Sequence, residues 1–306
     1  MNDVSIATPV STDPTDPTDS TDSPSHGASS TTTAEVRRHP RLQAVIFDWA
    51  GTLVDHGSLA PTQIFVDAFA TFGITLTLDE ARGPMGLSKR DHIRTLLEDD
   101  GLQAQWRARF GRASSDADID AIYERFMPMQ IAHVGRYSAP IPGAVEVLAA
   151  LRGAGLKIGS CSGYPRQVMD VLLPQAKADG VWADHVVAGD ELAAGGRPGP
   201  FMALANVLAL GIGDVRTCVK VDDTTPGIEE GRRAGMWTVG LSLSGNETGL
   251  TLEQLQALPD AELAARRDAA ARRLTASGAH LVIDSVAQLP RALAEIEARM
   301  ARGERP

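Results

Sequence analysis

Only two cysteines, Cys161 and Cys218, occur among 306 residues, too few for a disulfide framework and without any paired metal-ligand spacing. Aromatic residues make up just 5% of the chain, and no apolar run is long enough to span a bilayer. Positive charge is also in deficit, with 29 Lys plus Arg against 39 Asp plus Glu and a formal net charge of -10. An acidic surface of this kind repels nucleic acid and anionic membranes, so the expected partner is a small molecule. The 43% apolar content is enough for a substantial core, and the cysteine usage suits a reducing cytoplasm.

Residues 1–38 differ in composition from the rest, with Ser, Thr, Pro and Asp recurring as Thr12-Asp13-Pro14, Thr15-Asp16-Pro17 and Thr18-Asp19-Ser20. Little there can be buried to offset backbone entropy, so the segment reads as a disordered tail. It lacks the basic start and apolar stretch of a secretory signal, and its acids argue against a mitochondrial transit peptide.

From Leu42 onward, short apolar runs alternate with helical patterns: Ala44–Phe47, Leu156–Gly159, His185–Val187, Cys218–Val221, Trp237–Val239 and His280–Ile283. Brief runs rich in β-branched residues and separated by helices indicate buried parallel strands, hence an α/β, doubly wound core. Between about Ala60 and Ala139 only helical patterns occur, such as Thr62 to Phe72 and Ala117 to Val134. The expected organisation is a core over 39–59 and 139–306, interrupted by a helical cap over 60–138. The Ala-, Leu- and Arg-rich stretch from Leu250 to about Ser277 reads as helices packed on the core.

The most informative segment is Val45-Ile46-Phe47-Asp48-Trp49-Ala50-Gly51-Thr52-Leu53-Val54-Asp55, which sets a carboxylate at the carboxyl end of an apolar strand, the edge where open α/β sheets bind ligands. This string resembles the first motif of the haloacid dehalogenase superfamily, in which the first Asp forms an aspartyl-phosphate. The resemblance makes Asp48 the nucleophile. It continues in order: Ser162, with Gly163, matches the phosphoryl-binding hydroxyl position, Arg197 the cationic position, and Asp222-Asp223 the acidic magnesium ligands. Oxygen donors suit that hard cation, and an Arg fork suits oxygen anions.

Two departures from the superfamily pattern matter. Gly227 replaces an acid that many members carry, which leaves Asp223 as the preferred carboxylate ligand and Asp222 as an uncertain helper. Ala50 stands where most phosphatases have a second Asp that protonates the leaving oxygen. Its loss is tolerable when the leaving group is carbon. P–C cleavage would expel a carbanion unless an electron sink is adjacent, and a protonated imine formed between a lysine and an aldehyde is such a sink. Lys89 in Met85-Gly86-Leu87-Ser88-Lys89-Arg90-Asp91-His92 is the candidate amine. It must be neutral to attack, through desolvation and neighbouring positive charge, with Arg90 or Arg197 as contributors.

The two runs Phe47–Thr52 and Met85–His92 together resemble the phosphonoacetaldehyde hydrolase (phosphonatase) family of that superfamily, as do Gly163-Tyr164, Gly235–Gly240, Ser244–Glu247 and Gly278–His280. The resemblance spans Leu42 to about Glu297. It implies that Lys89 is the Schiff-base residue, that Met85, His92 and Tyr164 lie at the active site, and that Mg2+ is held by Asp48, the Ala50 carbonyl and Asp223. It further implies cleavage of phosphonoacetaldehyde to acetaldehyde and phosphate in 2-aminoethylphosphonate breakdown, and a homodimer through the cap. Ser58 departs from some members, which have Cys, and receives no role. An ordinary Mg2+-dependent phosphatase or phosphomutase of the superfamily would share Asp48, Ser162, Arg197 and Asp223, and Ala50 argues against it. A non-catalytic protein on this fold would be expected to have lost one of them.

Overall fold

The computed structural model of the protein describes residues 39–306. The tail expected over 1–38 lies outside the described residues. Six parallel strands form one sheet: β1 (Ala44–Phe47), β2 (Lys157–Cys161), β3 (His185–Val187), β4 (Cys218–Asp222), β5 (Trp237–Leu241) and β6 (Leu281–Ile283), in the order β3-β2-β1-β4-β5-β6. β1, β4 and β5 are buried along their whole length, which explains why they read as largely apolar runs without polar alternation, Lys220 being the exception in β4. Since β2 and β4 flank β1, strand order reverses beside β1. In doubly wound sheets the crevice for ligands opens at the carboxyl ends of the strands at this reversal.

Between β1 and β2 the described chain forms α1 (Leu59–Ala70), α2 (Leu78–Arg82), α3 (Lys89–Glu98), α4 (Asp100–Phe110), α5 (Asp116–Val134) and α6 (Ala144–Gly153), with no strand among them. The remaining helices are α7 (Arg166–Ala178), α8 (Phe201–Ala209), α9 (Thr225–Arg233), α10 (Leu252–Gln256), α11 (Asp260–Ala276) and α12 (Leu289–Ala301). Local chemistry sets the helix starts that matter for the site. Thr77 and Glu80 form a reciprocal capping box on α2, and the Ser88 hydroxyl accepts from the Asp91 N–H to begin α3. Thr224 caps α9 through the Gly227 N–H, with Pro226 in its first turn.

Most of the aromatics lie in the interior, Phe110, Trp182 and Phe201 being exposed. Trp49, Trp106, Trp237, Phe47, Phe65, Phe69 and Phe126 are among the largest fully buried side chains, each contributing about 1.5–3 kcal/mol by leaving water. Phe65 of α1 stacks on Phe126 of α5 with ring centroids 4.3 Å apart, which ties the helical segment together above the sheet edge. No described helix is long and apolar enough to cross a membrane.

Candidate active site

Immediately after β1 the backbone turns sharply. The Trp49 carbonyl accepts from Thr52, Leu53 and Val54 N–H groups, and Gly51 sits at φ +82°. Glycine is required twice over here. A side chain would be strained at that φ, and a Cβ would stand 2.1 Å from Asp223 Oδ2. Asp48, which begins the turn, is 6% exposed and pairs with Arg197 through Oδ1 and Nη1 at 2.8 Å.

Arg197 is the hub of a buried charge network. Its Nε donates to Glu230 Oε2 at 2.8 Å, its Nη2 lies 3.2 Å from Asp222 Oδ2, and Lys220 Nζ donates to Asp222 Oδ2 at 2.7 Å. Asp222 is further held through Oδ1 by the Thr224 hydroxyl at 2.7 Å and its N–H at 3.0 Å. Asp223 receives fewer donors, Thr52 Oγ1 at 3.2 Å and the Asn246 N–H at 2.7 Å. Electrostatics separates the three acids. Burial opposes ionisation of Asp222, but the charges of Arg197 and Lys220 outweigh it and lower its pKa. Burial and then the Asp222 charge raise Asp48 to about 6, while burial followed by the charges of Asp48 and Asp222 push Asp223 well above the usual carboxylate range.

Ligand atoms of Asp48, Asp222 and Asp223 lie within 4.8 Å of one another. Four buried carboxylates, counting Glu230, face the two cations Arg197 and Lys220, so two negative charges stand uncompensated when all are ionised. A hard divalent cation fits that deficit and that oxygen donor set. The glycines agree. A Cβ at Gly51 or Gly245 would collide with the Asp223 side chain, so both positions leave its carboxylate free to approach. Asp48 and Asp223 are the residues open to such an ion, because Asp222 is already occupied by Lys220, Thr224 and Arg197.

Across the cavity, Lys89 opens α3 and is only 3% exposed. Its Nζ lies 5.0 Å from the Tyr164 ring centroid and 5.6 Å from that of Phe65. Burial, joined by the Arg197 charge and opposed by Asp48, lowers its pKa to about 7. A helix N-terminus also disfavours a cation. Arg90, expected as a contributor, faces away and bonds Asp120 at 2.7 Å, because adjacent helical residues do not share a face. His92 is fully buried behind Phe65, stacked at 3.8 Å, and Nε2 donates to the Ala81 carbonyl at 2.9 Å. That bond leaves Nδ1 as a bare acceptor, and burial together with the Lys89 charge keeps the ring neutral.

Asp48, Ala50, Met85, Lys89, Ser162, Gly163, Tyr164 and Arg197 line one cavity, together with Ser58, Pro61, Gly86 and Thr224. Asp223 and His92 are not among the residues that line it. The Tyr164 hydroxyl is buried without a partner. All of the lining residues except Ala50 are buried, so the loop between α2 and α3 is shut over the sheet edge. Glycine permits the closure: a Cβ on Gly163 would stand 2.5 Å from the Leu87 carbonyl, and one on Gly86 2.4 Å from Thr224 Oγ1.

Sequence reasoning missed Lys220, Glu230, Thr224, Asn246 and Arg82, and left Ser58 without a place. A lysine inside the otherwise apolar Cys218-Val219-Lys220-Val221 strand was a usable signal, because a buried cation demands a buried acid.

Residues 42–235 match the haloacid dehalogenase-like hydrolase family. The phosphonoacetaldehyde hydrolase of Klebsiella pneumoniae subsp. pneumoniae is 61% identical over 267 residues, covering 87% of this chain and 99% of that relative. The phosphonoacetaldehyde hydrolase of Pseudomonas aeruginosa is 59% identical over 265 residues, 87% of this chain and 96% of the relative. Among solved structures, a phosphonoacetaldehyde hydrolase-like protein from Oleispira antarctica superposes with a TM-score of 0.85 at 45% identity, over 89% of this chain and 99% of the other. The chain is a hydrolase of the haloacid dehalogenase superfamily and belongs, within it, to the phosphonoacetaldehyde hydrolase family.

Proposed function

We propose that the protein hydrolyses the P–C bond of phosphonoacetaldehyde, giving acetaldehyde and phosphate, with Asp48 as nucleophile and Lys89 as the imine-forming amine. The observation that carries this reading is the pairing, within one closed cavity, of a buried carboxylate with a buried lysine whose pKa is lowered to about 7, while Ala50 stands where a general acid would be needed for an ester.

Neutral Lys89 attacks the aldehyde carbon, and loss of water leaves a protonated imine two bonds from phosphorus. The bare Nδ1 of His92 and the Tyr164 hydroxyl are the nearby groups suited to moving protons in that step. The Asp48 carboxylate then attacks phosphorus, and the P–C electron pair moves into the new C=C bond of an enamine. Ser162 and Arg197 hold the phosphoryl oxygens, with Gly163 leaving room for the loop above them. Protonation at carbon restores the imine, and one water releases acetaldehyde and free Lys89. A second water cleaves the aspartyl-phosphate, so one water is consumed overall. Mg2+, held by Asp48, Asp223 and the Ala50 carbonyl, would offset negative charge on the phosphoryl group and its nucleophile.

In this reading residues 60–138 act as a cap over a core of 39–59 and 139–306, opening to admit substrate and closing to exclude water. The enzyme works as a cytoplasmic homodimer joined through that cap, which light scattering on the purified protein checks. The activity is tested by acetaldehyde release from phosphonoacetaldehyde through a coupled alcohol dehydrogenase, with and without EDTA, and with phosphate esters in parallel. EDTA-sensitive acetaldehyde is the expected result. Phosphate from the esters alone would replace this reading with that of an ordinary phosphatase.

A further inference from the structure

Arg82 ends α2, and its guanidinium reaches into loops remote in sequence. Nη1 donates to the Gly57 carbonyl at 3.0 Å and to Asn246 Oδ1 at 3.4 Å, while Nη2 donates to the Gly249 carbonyl at 3.1 Å. The bond is returned, since Asn246 Nδ2 donates to the Arg82 carbonyl at 3.3 Å. The same Asn246 uses its backbone N–H to hold Asp223 Oδ2 at 2.7 Å. Gly249, at φ +65°, is shaped around this group, for a Cβ there would stand 2.5 Å from Arg82 Cζ. Two residues thus link α2 to the acidic cluster. Met85, Gly86 and Lys89 follow Arg82 within the next seven positions, so whatever holds Arg82 also holds the loop that covers the cavity.

We propose that Arg82 is a positioning residue, a latch that draws α2 onto the Gly57 and Gly249 loops and orients Asp223 through Asn246, so that enclosing Lys89 and presenting the metal carboxylate are one event. The metal half rests on the reading of Asp223 as a cation ligand given above. The enclosure of Lys89 does not. Lysine cannot replace this arginine fully, because three acceptors in diverging directions need a planar fork rather than a point charge.

The chain contains four lysines, which makes the test direct. Lys157 and Lys177 are exposed, whereas Lys89 and Lys220 are buried. A brief pulse of acetic anhydride on the full-length protein, read by mass spectrometry, reports the reactivity of Lys89 against Lys157, with Lys220 as an indicator of global integrity. Calorimetric titration of EDTA-treated protein with Mg2+ reports the cation site without any turnover. Arg82→Ala is expected to raise relative Lys89 acetylation and the Mg2+ dissociation constant by about tenfold each, the effect of one charge-assisted hydrogen bond, with Arg82→Lys between it and wild type. Lys220 stays protected. Wild-type labelling and wild-type Mg2+ affinity in Arg82→Ala would overturn the latch, and raised labelling with unchanged affinity would overturn its coupling to Asp223. Where Arg82→Ala also exposes Lys220, Arg82→Lys decides by the same two readouts. Failure of the wild type to cleave phosphonoacetaldehyde is a separate result that removes the proposed activity and leaves the labelling test intact.

Discussion

In the proposed mechanism, Asp48→Asn separates the two covalent events by removing the nucleophile and leaving the amine. Its effect on Lys89 follows from charge. Burial and Arg197 lower the Lys89 pKa to about 7, and the Asp48 carboxylate opposes them by favouring the ammonium form. A unit charge facing the amine across a small cavity, in an effective dielectric of about 20, is worth about 1–2 kcal/mol, or about one pK unit. Removing the anion therefore lowers the Lys89 pKa. Because Asp48 itself titrates at about 6, the wild-type amine feels the full carboxylate only above that pH, and a shift of about one unit, to about 6, is expected. The assay is reductive trapping with cyanoborohydride. EDTA-treated protein is mixed with phosphonoacetaldehyde between about pH 5 and 9, and the phosphonoethyl or ethyl adduct on Lys89 is quantified. Trapping requires the neutral amine, so it rises with pH through about 7 in the wild type and through about 6 in the variant, which releases no phosphate. A wild-type midpoint near the ordinary lysine value of 10.5, or an upward shift in Asp48→Asn, would refute the reasoning.

Three further substitutions probe the remaining parts. Glu230→Gln removes the fully buried charge that holds Arg197 Nε at 2.8 Å but keeps an acceptor, so thermal unfolding should report a loss of about 1–3 kcal/mol, with kcat falling more than KM rises. Gly51→Ala forces a Cβ to within 2.1 Å of Asp223 Oδ2 at φ +82°, and calorimetry should show Mg2+ affinity reduced by more than about tenfold. Unchanged affinity would remove Asp223 from the cation site. Ala50→Asp adds an anion to the cavity wall, which should move the acid limb of the activity profile upward by about one unit, as the Asp48 charge does, and lower the rate at pH 7 by about tenfold.

How far the site was legible depends on how local its signals are. The six strands read clearly because each is a short, largely apolar run set between helical patterns, three of them (β1, β4 and β5) buried along their whole length, and Asp48, Ser162, Arg197 and Asp223 lie in strings that identify themselves. The pairing of Arg82 with Asn246 does not, since it joins positions 164 residues apart, and although Asn246 lies in the Ser244–Glu247 stretch, nothing in either string marks the other as its partner. The division of labour between Asp222 and Asp223 lies between these cases. Two adjacent acids look equivalent as text, but strand side chains alternate, so Asp222 shares a face with Lys220 and Asp223 points the other way. The buried lysine two positions upstream therefore marks Asp222 as the partner of a cation within the protein, and leaves Asp223 as the acid free to meet one from outside. The same logic places Glu230. Lys220 and Arg197 are both buried, one partner carboxylate cannot satisfy two cations, and the second acid comes from α9, the helix that returns over β4. Arg90 shows the converse. Beside Lys89 in sequence, it was a plausible source of positive charge, yet the turn of α3 carries it outward to Asp120, and the cation that lowers the Lys89 pKa comes instead from Arg197, across the cavity.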